Sequence, residues 1–284
     1  MSKISVAPAP DRRMRALGAQ ATPIRLLVLA VAVTELYLAA RDGRDRRAGA
    51  WLFIASLKPQ AIVTLGIAAV VVRRRALVLT ALGLGLASAA VATVLLGPGI
   101  WVAYLQFLGQ YMGTFDQLSV RPTVMWNLRG TVALLLGGPA GAAEASLVNA
   151  IALAGQVAAM GVTAWLWRRP AWWNPADPGF DLRFSATIVL GLLSSPHTNP
   201  HDGLLLVPAA AIAYRALRVQ PFGRPAGAAL LCAPFLILAT NSIDANEVGG
   251  PPVRVPVVLM VALLATAAVL LANRGSAAAP RLNP

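Results

Sequence analysis

The sequence predicts an all-α protein that crosses a membrane several times. Charged residues make up 12% of the chain, whereas ordinary globular proteins contain about 25%. Mean hydropathy is +0.67, and apolar runs of about 17–25 residues, the length that a helix needs to cross a bilayer, recur along the chain. With the placement of the arginines, these observations predict a polytopic integral membrane protein.

The net charge of +13 indicates membrane orientation and excludes a nucleic-acid partner. Nucleic-acid-binding proteins gather their basic residues on a soluble face or a tail. Here short arginine groups stand at the ends of apolar runs, at 41–47, 73–75 and 168–169, as the positive-inside rule predicts. With these groups in the cytoplasm, the segment 97–130 faces outward from what we expect to be a bacterial plasma membrane. The basic N-terminal tail, 1–22, does not fit this map.

The apolar runs give the order of the predicted segments, which are 24–40, 48–72, 76–96, 131–167, 184–196, 203–217, 225–240 and 253–272. They form a transmembrane domain over 23–273, followed by a disordered tail at 274–284. In the outer segment, 97–130, apolar and aromatic side chains recur at helical spacing, which predicts a helix in the membrane interface. Five tryptophans are expected to anchor the protein at the interfaces: Trp101, Trp165, Trp167, Trp172 and Trp173.

The run 48–72 contains a break at its centre. Arginine groups flank both ends, and the motif KPQ at 58–60 places a proline where it removes a backbone donor. Two structures remain open, a kinked span or two short half-helices that enter and leave on the same side with Lys58 near the tip. The equal flanks favour the half-helices. Either structure needs a cavity, because irregular backbone inside a bilayer must face protein or water.

Both histidines of the chain fall in LGLLSSPHTNPHDGLLLVP, residues 190–208. The two prolines of this stretch break the helix on the side to which the tip at Lys58 points. A zinc site is disfavoured, because His197 and His201 do not share a helical face and the chain has no third histidine. The remaining interpretations are a water-exposed polar corner and a pocket in which these histidines and Asp202 meet an anionic ligand.

Several further residues complete the candidate site. An ammonium group suits phosphate as a point charge, so Lys58 is a candidate anion ligand, unless it extends to the interface. Gln60 lies beside it. Arg121 and Arg129 stand on the outer side against the charge rule, either at the site or in a solvated loop. Glu35, inside the first apolar run, either pairs with a neighbouring helix or serves the site.

Two long stretches of the chain resemble the integral-membrane glycosyltransferases of family 87. One is AGAWLFIASLKPQAIVTLGIAAVVVRRRALVLTALGLGLASAAVATVLLGPGIWVAYLQFL, with its KPQ motif, arginine-rich turn and GPGIWVAYL segment. The other is LLSSPHTNPHDGLLLVPAAAIAYR. The similarity covers roughly residues 18–272.

The resemblance implies a GT-C-like helical bundle that transfers a hexose, often mannose, from a polyprenyl-phosphate donor at the outer membrane face. It implies donor-phosphate contacts for Lys58 and His197, with Gln60, His201, Asp202, Arg121 and Arg129 lining the site. Membrane lipid, the lipid-linked donor and a glycan or glycolipid acceptor are the implied partners. No cofactor or metal is expected, and the sequence contains no P-loop, dinucleotide fingerprint, GxSxG elbow or CxxC motif.

The resemblance leaves the catalytic base unidentified. Members of the family carry an acidic residue in a first outer loop, upstream of a Gly-Gln motif that LGAQATPI resembles, and nothing in residues 1–23 matches that loop. A truncated chain and an inactive member are the two explanations. A transporter or lipid flippase, which also builds midplane sites from broken helices, is the alternative function.

Overall fold

In the computed structural model, the structure describes residues 12–113, 125–137, 145–177, 179–198 and 200–218, with short pieces at 224–225, 228, 232, 257–258 and 260–262. These residues are mostly helical and contain no β-strand, which confirms the all-α prediction. The helices are α1 Arg12–Arg41, α2 Asp45–Ala55, α3 Pro59–Val71, α4 Arg75–Leu96, α5 Gly99–Gly113, α6 Leu128–Gly137, α7 Ala145–Leu166, α8 Phe180–Ser194 and α9 Leu206–Leu217, with 3₁₀ helices at Pro170–Trp173 and Pro200–Leu205.

Charged contacts gather several helix ends at one end of the bundle. Asp181, in the first turn of α8, lies 3.6 Å from Arg41 at the end of α1 and 3.6 Å from Arg215 near the end of α9. Arg74, just before α4, lies 3.6 Å from Asp45 at the start of α2 and donates to the carbonyl of Trp173. We call this region the arginine end, defined by Arg41, Arg74, Arg183 and Arg215.

The run 48–72 forms a helical hairpin, and this decides between the two structures left open by the sequence. The Arg74–Asp45 contact brings the start of α2 and the end of α3 to the same end, whereas a kinked span would put them at opposite ends. Pro59 is the first residue of α3, where its missing N–H costs nothing. Helices of 11 and 13 residues reach about 16 and 20 Å, so Lys58 lies at the hairpin tip, away from the arginine end.

Polar contacts between helices hold α3, α7, α8 and α9 together. The Thr64 hydroxyl donates to the carbonyl of Thr187 at 2.9 Å, and the Ser185 hydroxyl donates to the carbonyl of Ala209 at 2.7 Å. The Trp167 indole donates to the Thr187 hydroxyl at 2.9 Å. Such hydroxyl contacts between closely packed helices replace the water that backbone and side chains lack in a packed interior.

The tryptophans divide into two groups, which corrects the expectation that all five anchor at an interface. Trp167 and Trp173 are buried, with ring centroids 4.8 Å apart, and both pack edge-on against Phe180. Trp101 and Trp165 are exposed. The buried pair belongs to the core because the chain folds back at the 3₁₀ helix Pro170–Trp173 and carries both rings under the start of α8.

Some predicted boundaries differ from the structure. The apolar run 131–167 contains two helices, α6 and α7, because Gly137, Gly138 and Pro139 interrupt it with residues that disfavour helix. The first helix begins at Arg12, within the predicted tail. A helix does occupy the first half of 97–130, as the spacing predicts. Most of the predicted segments 225–240 and 253–272, and the tail 274–284, lie outside the described residues.

Two helices are long and apolar enough to cross a membrane, judged by length and composition alone. They are Arg75–Leu96, with a mean hydropathy of 2.1, and Ser146–Leu166, with 1.6. In each hydropathy window less than a fifth of the residues are buried. Large apolar side chains are exposed along both helices, among them Leu86, Val94, Leu153 and Val157.

Candidate functional site

The ammonium of Lys58 forms an ion pair with the carboxylate of Asp202. Lys58 precedes α3 at the hairpin tip, and Asp202 lies in the 3₁₀ helix between α8 and α9. The side chain of Asp202 is 1% exposed and that of Lys58 is 18% exposed. Removing such a pair from water is costly, so its two members stabilise each other only in close contact. The pair therefore joins the hairpin tip to the histidine segment.

Arg129 and His197 form a second contact at the same end. The Arg129 guanidinium, 1% exposed, lies 3.4 Å through Nη1 from His197 Nε2 and donates through Nε to Asn149 Oδ1 at 2.9 Å. Because arginine has donors only, Nε2 must accept, and the ring carries its proton on Nδ1. We call Lys58, Arg129, His197 and Asp202 the polar corner.

Burial keeps His197 neutral. The pKa of His197 falls from 6.5 to about 4, first because burial penalises the imidazolium and then because the charges of Arg129 and Lys58 oppose a further cation. The contribution of Lys58 also shows that the two contacts belong to one electrostatic cluster. At neutral pH the imidazole is therefore an uncharged hydrogen-bonding group, and the positive charge of the polar corner resides on Lys58 and Arg129.

The backbone on both sides of the polar corner is fixed by hydrogen bonds. The Trp126 N–H donates to the Thr198 carbonyl at 2.7 Å, and the Asn127 amide donates to the Ser195 carbonyl at 2.8 Å. Asn127 Oδ1 also accepts from the N–H of Gly130, which makes it the N-cap of α6. Gly203 lies against the Trp126 ring, where a Cβ would come within 2.5 Å of it. The segment that carries Arg129 is thereby held against the histidine segment.

The polar corner combines features that favour an anionic ligand. Lys58 immediately precedes α3, and Arg129 lies in the first turn of α6. Helix N-termini carry partial positive charge and bind phosphate and carboxylate groups. With Asp202 ionised and His197 neutral, the four groups carry one net positive charge. Two basic side chains near two helix N-termini can therefore bind a phosphate, provided that it competes with Asp202 for Lys58.

The structure places the other candidate residues as follows. Gln60 lies in the first turn of α3, partly exposed. His201 belongs to the 3₁₀ helix, but its side chain lies outside the described residues, and so does the whole of Arg121. Glu35 forms an ion pair with Arg47 of α2 at 2.6 Å, the structural alternative of the two that the sequence left open. Among the side chains that the structure describes, no group of three His, Cys, Asp or Glu could hold a metal ion.

Sequence reasoning missed two asparagines that organise the polar corner. Asn127 caps α6 and binds the Ser195 carbonyl, and Asn149 orients the guanidinium of Arg129. Asn149 interrupts the apolar run SLVNAIAL. An amide inside such a run usually has a buried partner, so this signal was present in the sequence, although its partner was not.

Comparisons of the chain with models of protein families, with curated proteins and with solved structures find no match.

Proposed function

We propose that the protein is a multi-pass membrane hexosyltransferase of the family 87 type, whose polar corner binds the phosphate of a polyprenyl-phosphate sugar. The observation that carries the proposal is the burial of Lys58 and Arg129 in one cluster with a neutral His197 and Asp202. Buried cations of this kind inside a membrane protein usually serve a ligand or a transfer step.

The chemistry of sugar transfer fits these groups. When the bond between the anomeric carbon and the phosphate oxygen breaks, the leaving polyprenyl phosphate gains a second negative charge. Lys58 and Arg129 would stabilise that charge in a buried setting where few waters compete. His197, neutral and oriented by Arg129, would donate its Nδ1 proton to a phosphate or sugar oxygen.

The acceptor hydroxyl must also lose a proton to a base. Among the described carboxylates, Asp202 alone belongs to the polar corner, whereas Asp45, Asp177 and Asp181 contact arginines at the other end. We assign this role to Asp202. The phosphate would take the place of Asp202 beside Lys58, and the released carboxylate would accept the proton.

The membrane setting that we propose suits a lipid-linked donor. The apolar side chains at the end of α4, Val94, Leu95 and Leu96, are exposed, and α4 ends on the side of the polar corner because it begins at the arginine end. A polyprenyl chain lying against this surface would bring its phosphate toward the helix N-termini without leaving the bilayer.

The test is photocrosslinking of the purified protein with a polyprenyl-phosphate-mannose analogue. We expect wild type and Lys58→Arg, which keeps the charge, to be labelled. The double variant Lys58→Met/Asp202→Leu, which removes the ion pair without leaving a lone charge, should lose labelling while remaining folded. Arg47→Gln at the opposite end is the control and should be labelled like wild type. Labelling that survives in the double variant would contradict the donor site.

A transporter or lipid flippase is the second candidate, favoured by the α2–α3 hairpin. Paired short helices with a charged residue at the break are also how transporters build midplane sites. Proteoliposomes separate the two functions. A transferase releases polyprenyl phosphate when an acceptor is supplied, whereas a flippase moves the intact lipid-linked sugar across the bilayer without an acceptor.

A further inference from the structure

A second cluster, far from the polar corner, surrounds the indole of Trp172. The guanidinium carbons of Arg168, Arg169 and Arg183 lie 4.9, 5.2 and 4.1 Å from its ring centroid. Arg168 also lies 4.5 Å from the ring of Trp165. Stacking of guanidinium on indole is favourable. Three cations around one ring are also close enough to repel one another.

The three arginines differ in their anionic partners. Arg183 pairs with Asp177 at 3.0 Å. Arg168 and Arg169 are exposed, and no carboxylate within the described ranges forms an ion pair with either. The Arg168 side chain is fixed by its donation to the Trp165 carbonyl at 3.0 Å. Two guanidiniums are thus held side by side, with donors left to bind a single anion.

The position of this pair indicates which anion. Arg168 and Arg169 follow α7, one of the two helices long and apolar enough to cross a membrane. The apolar side chains of Val157, Val162 and Trp165 are exposed on α7. Tryptophan at the end of a membrane helix lies at the level of the lipid headgroups, and arginines just beyond it lie at the level of the phosphates. Acyl chains along α7 and a phosphate at the arginines would belong to one lipid.

We propose that Arg168 and Arg169, on the platform of Trp165 and Trp172, bind the headgroup phosphate of an anionic phospholipid. The planar guanidinium matches phosphate with two parallel hydrogen bonds. Zwitterionic lipid is a poorer ligand because its own cation competes for the same phosphate charge. This site lies at the arginine end and does not depend on sugar transfer at the polar corner.

The test measures binding of phosphatidylglycerol to the full chain in zwitterionic micelles, followed by thermal stabilisation. We expect stabilisation by phosphatidylglycerol and none by phosphatidylcholine or soluble glycerol phosphate. Arg168→Gln/Arg169→Gln should weaken the affinity about 30-fold, since each arginine near an anionic lipid contributes about a factor of five. Arg168→Lys/Arg169→Lys should lie between it and wild type, because it keeps the charge and loses the planar fork.

Arg44→Gln/Arg46→Gln is the matched control, since it removes the same charge from exposed positions near the same end. Its affinity should stay within about threefold of wild type. Equal losses in the two glutamine variants would overturn the site in favour of diffuse surface charge. Equal stabilisation by glycerol phosphate would overturn the lipid as the ligand, and a response to phosphatidylcholine would overturn the selectivity for anionic lipid. Lys58 variants should respond like wild type, which separates this result from the donor site.

Discussion

The two ends of the helical bundle use the same kinds of charged residues in different ways. At the arginine end, the pairs Arg41–Asp181 and Arg74–Asp45 have partners 3.6 Å apart, with side chains that remain partly exposed. At the polar corner, Asp202 is buried beside Lys58, and Arg129 is buried beside His197. Water and salt screen the first set. The second set depends on its own members, so a single substitution there has larger consequences.

The largest contrast is expected from the ion pairs. Lys58→Met leaves Asp202 buried without its ammonium and should lower the free energy of unfolding by about 3–5 kcal/mol. Arg47→Met removes the exposed partner of Glu35 and should cost less than about 1 kcal/mol. Denaturation of the purified proteins in the same detergent measures both. The double variant Lys58→Met/Asp202→Leu should recover most of the loss, and equal costs for the two single variants would erase the contrast between the ends.

Acidification should also act on the polar corner. His197 takes up its proton near pH 6.5 in the unfolded chain and near pH 4 in the folded protein. The unfolded state therefore binds more protons between these values, and stability falls as pH falls from 6.5 toward 4, by up to about 3 kcal/mol in total.

The check is the slope of the unfolding free energy against pH in wild type and in His197→Gln. The variant should lose most of the dependence in that window. A slope that persists in His197→Gln would assign it to other groups. Arg44→Gln, at the exposed end, should leave the slope unchanged.

Glycine substitutions give a smaller effect and compare packing near the two ends. A Cβ at Gly203 meets the Trp126 ring, and one at Gly49 comes within 2.8 Å of Thr80 Cβ and against the Leu77 carbonyl. Each alanine variant should cost about 1–3 kcal/mol, with Gly49→Ala the larger because backbone yields less than a ring. Gly66 has open space around its Cβ position, so Gly66→Ala should stabilise α3 by about 0.5–1 kcal/mol. A destabilised Gly66→Ala would contradict the packing described for α3.

The sequence anticipated some of the candidate site and missed the rest for identifiable reasons. Lys58, His197 and Asp202 stood out because polar residues at proline-marked breaks in apolar runs have few structural alternatives. Asn127 and Asn149 did not stand out, because their value lies in what they orient. The buried Trp167 and Trp173 were assigned to the interface, since composition cannot distinguish a ring facing lipid from one facing the core.

By itself the sequence determined the helical class, the apolar runs and the gathering of arginines at their ends, because these follow from hydropathy and local propensity along the chain. Tertiary structure decided what the charges contact. It folded 48–72 into a hairpin, paired Lys58 with Asp202 and set Arg129 against His197, contacts between residues far apart in sequence. Local patterns carry no information on such pairings, because burial and partner geometry arise only when the helices pack.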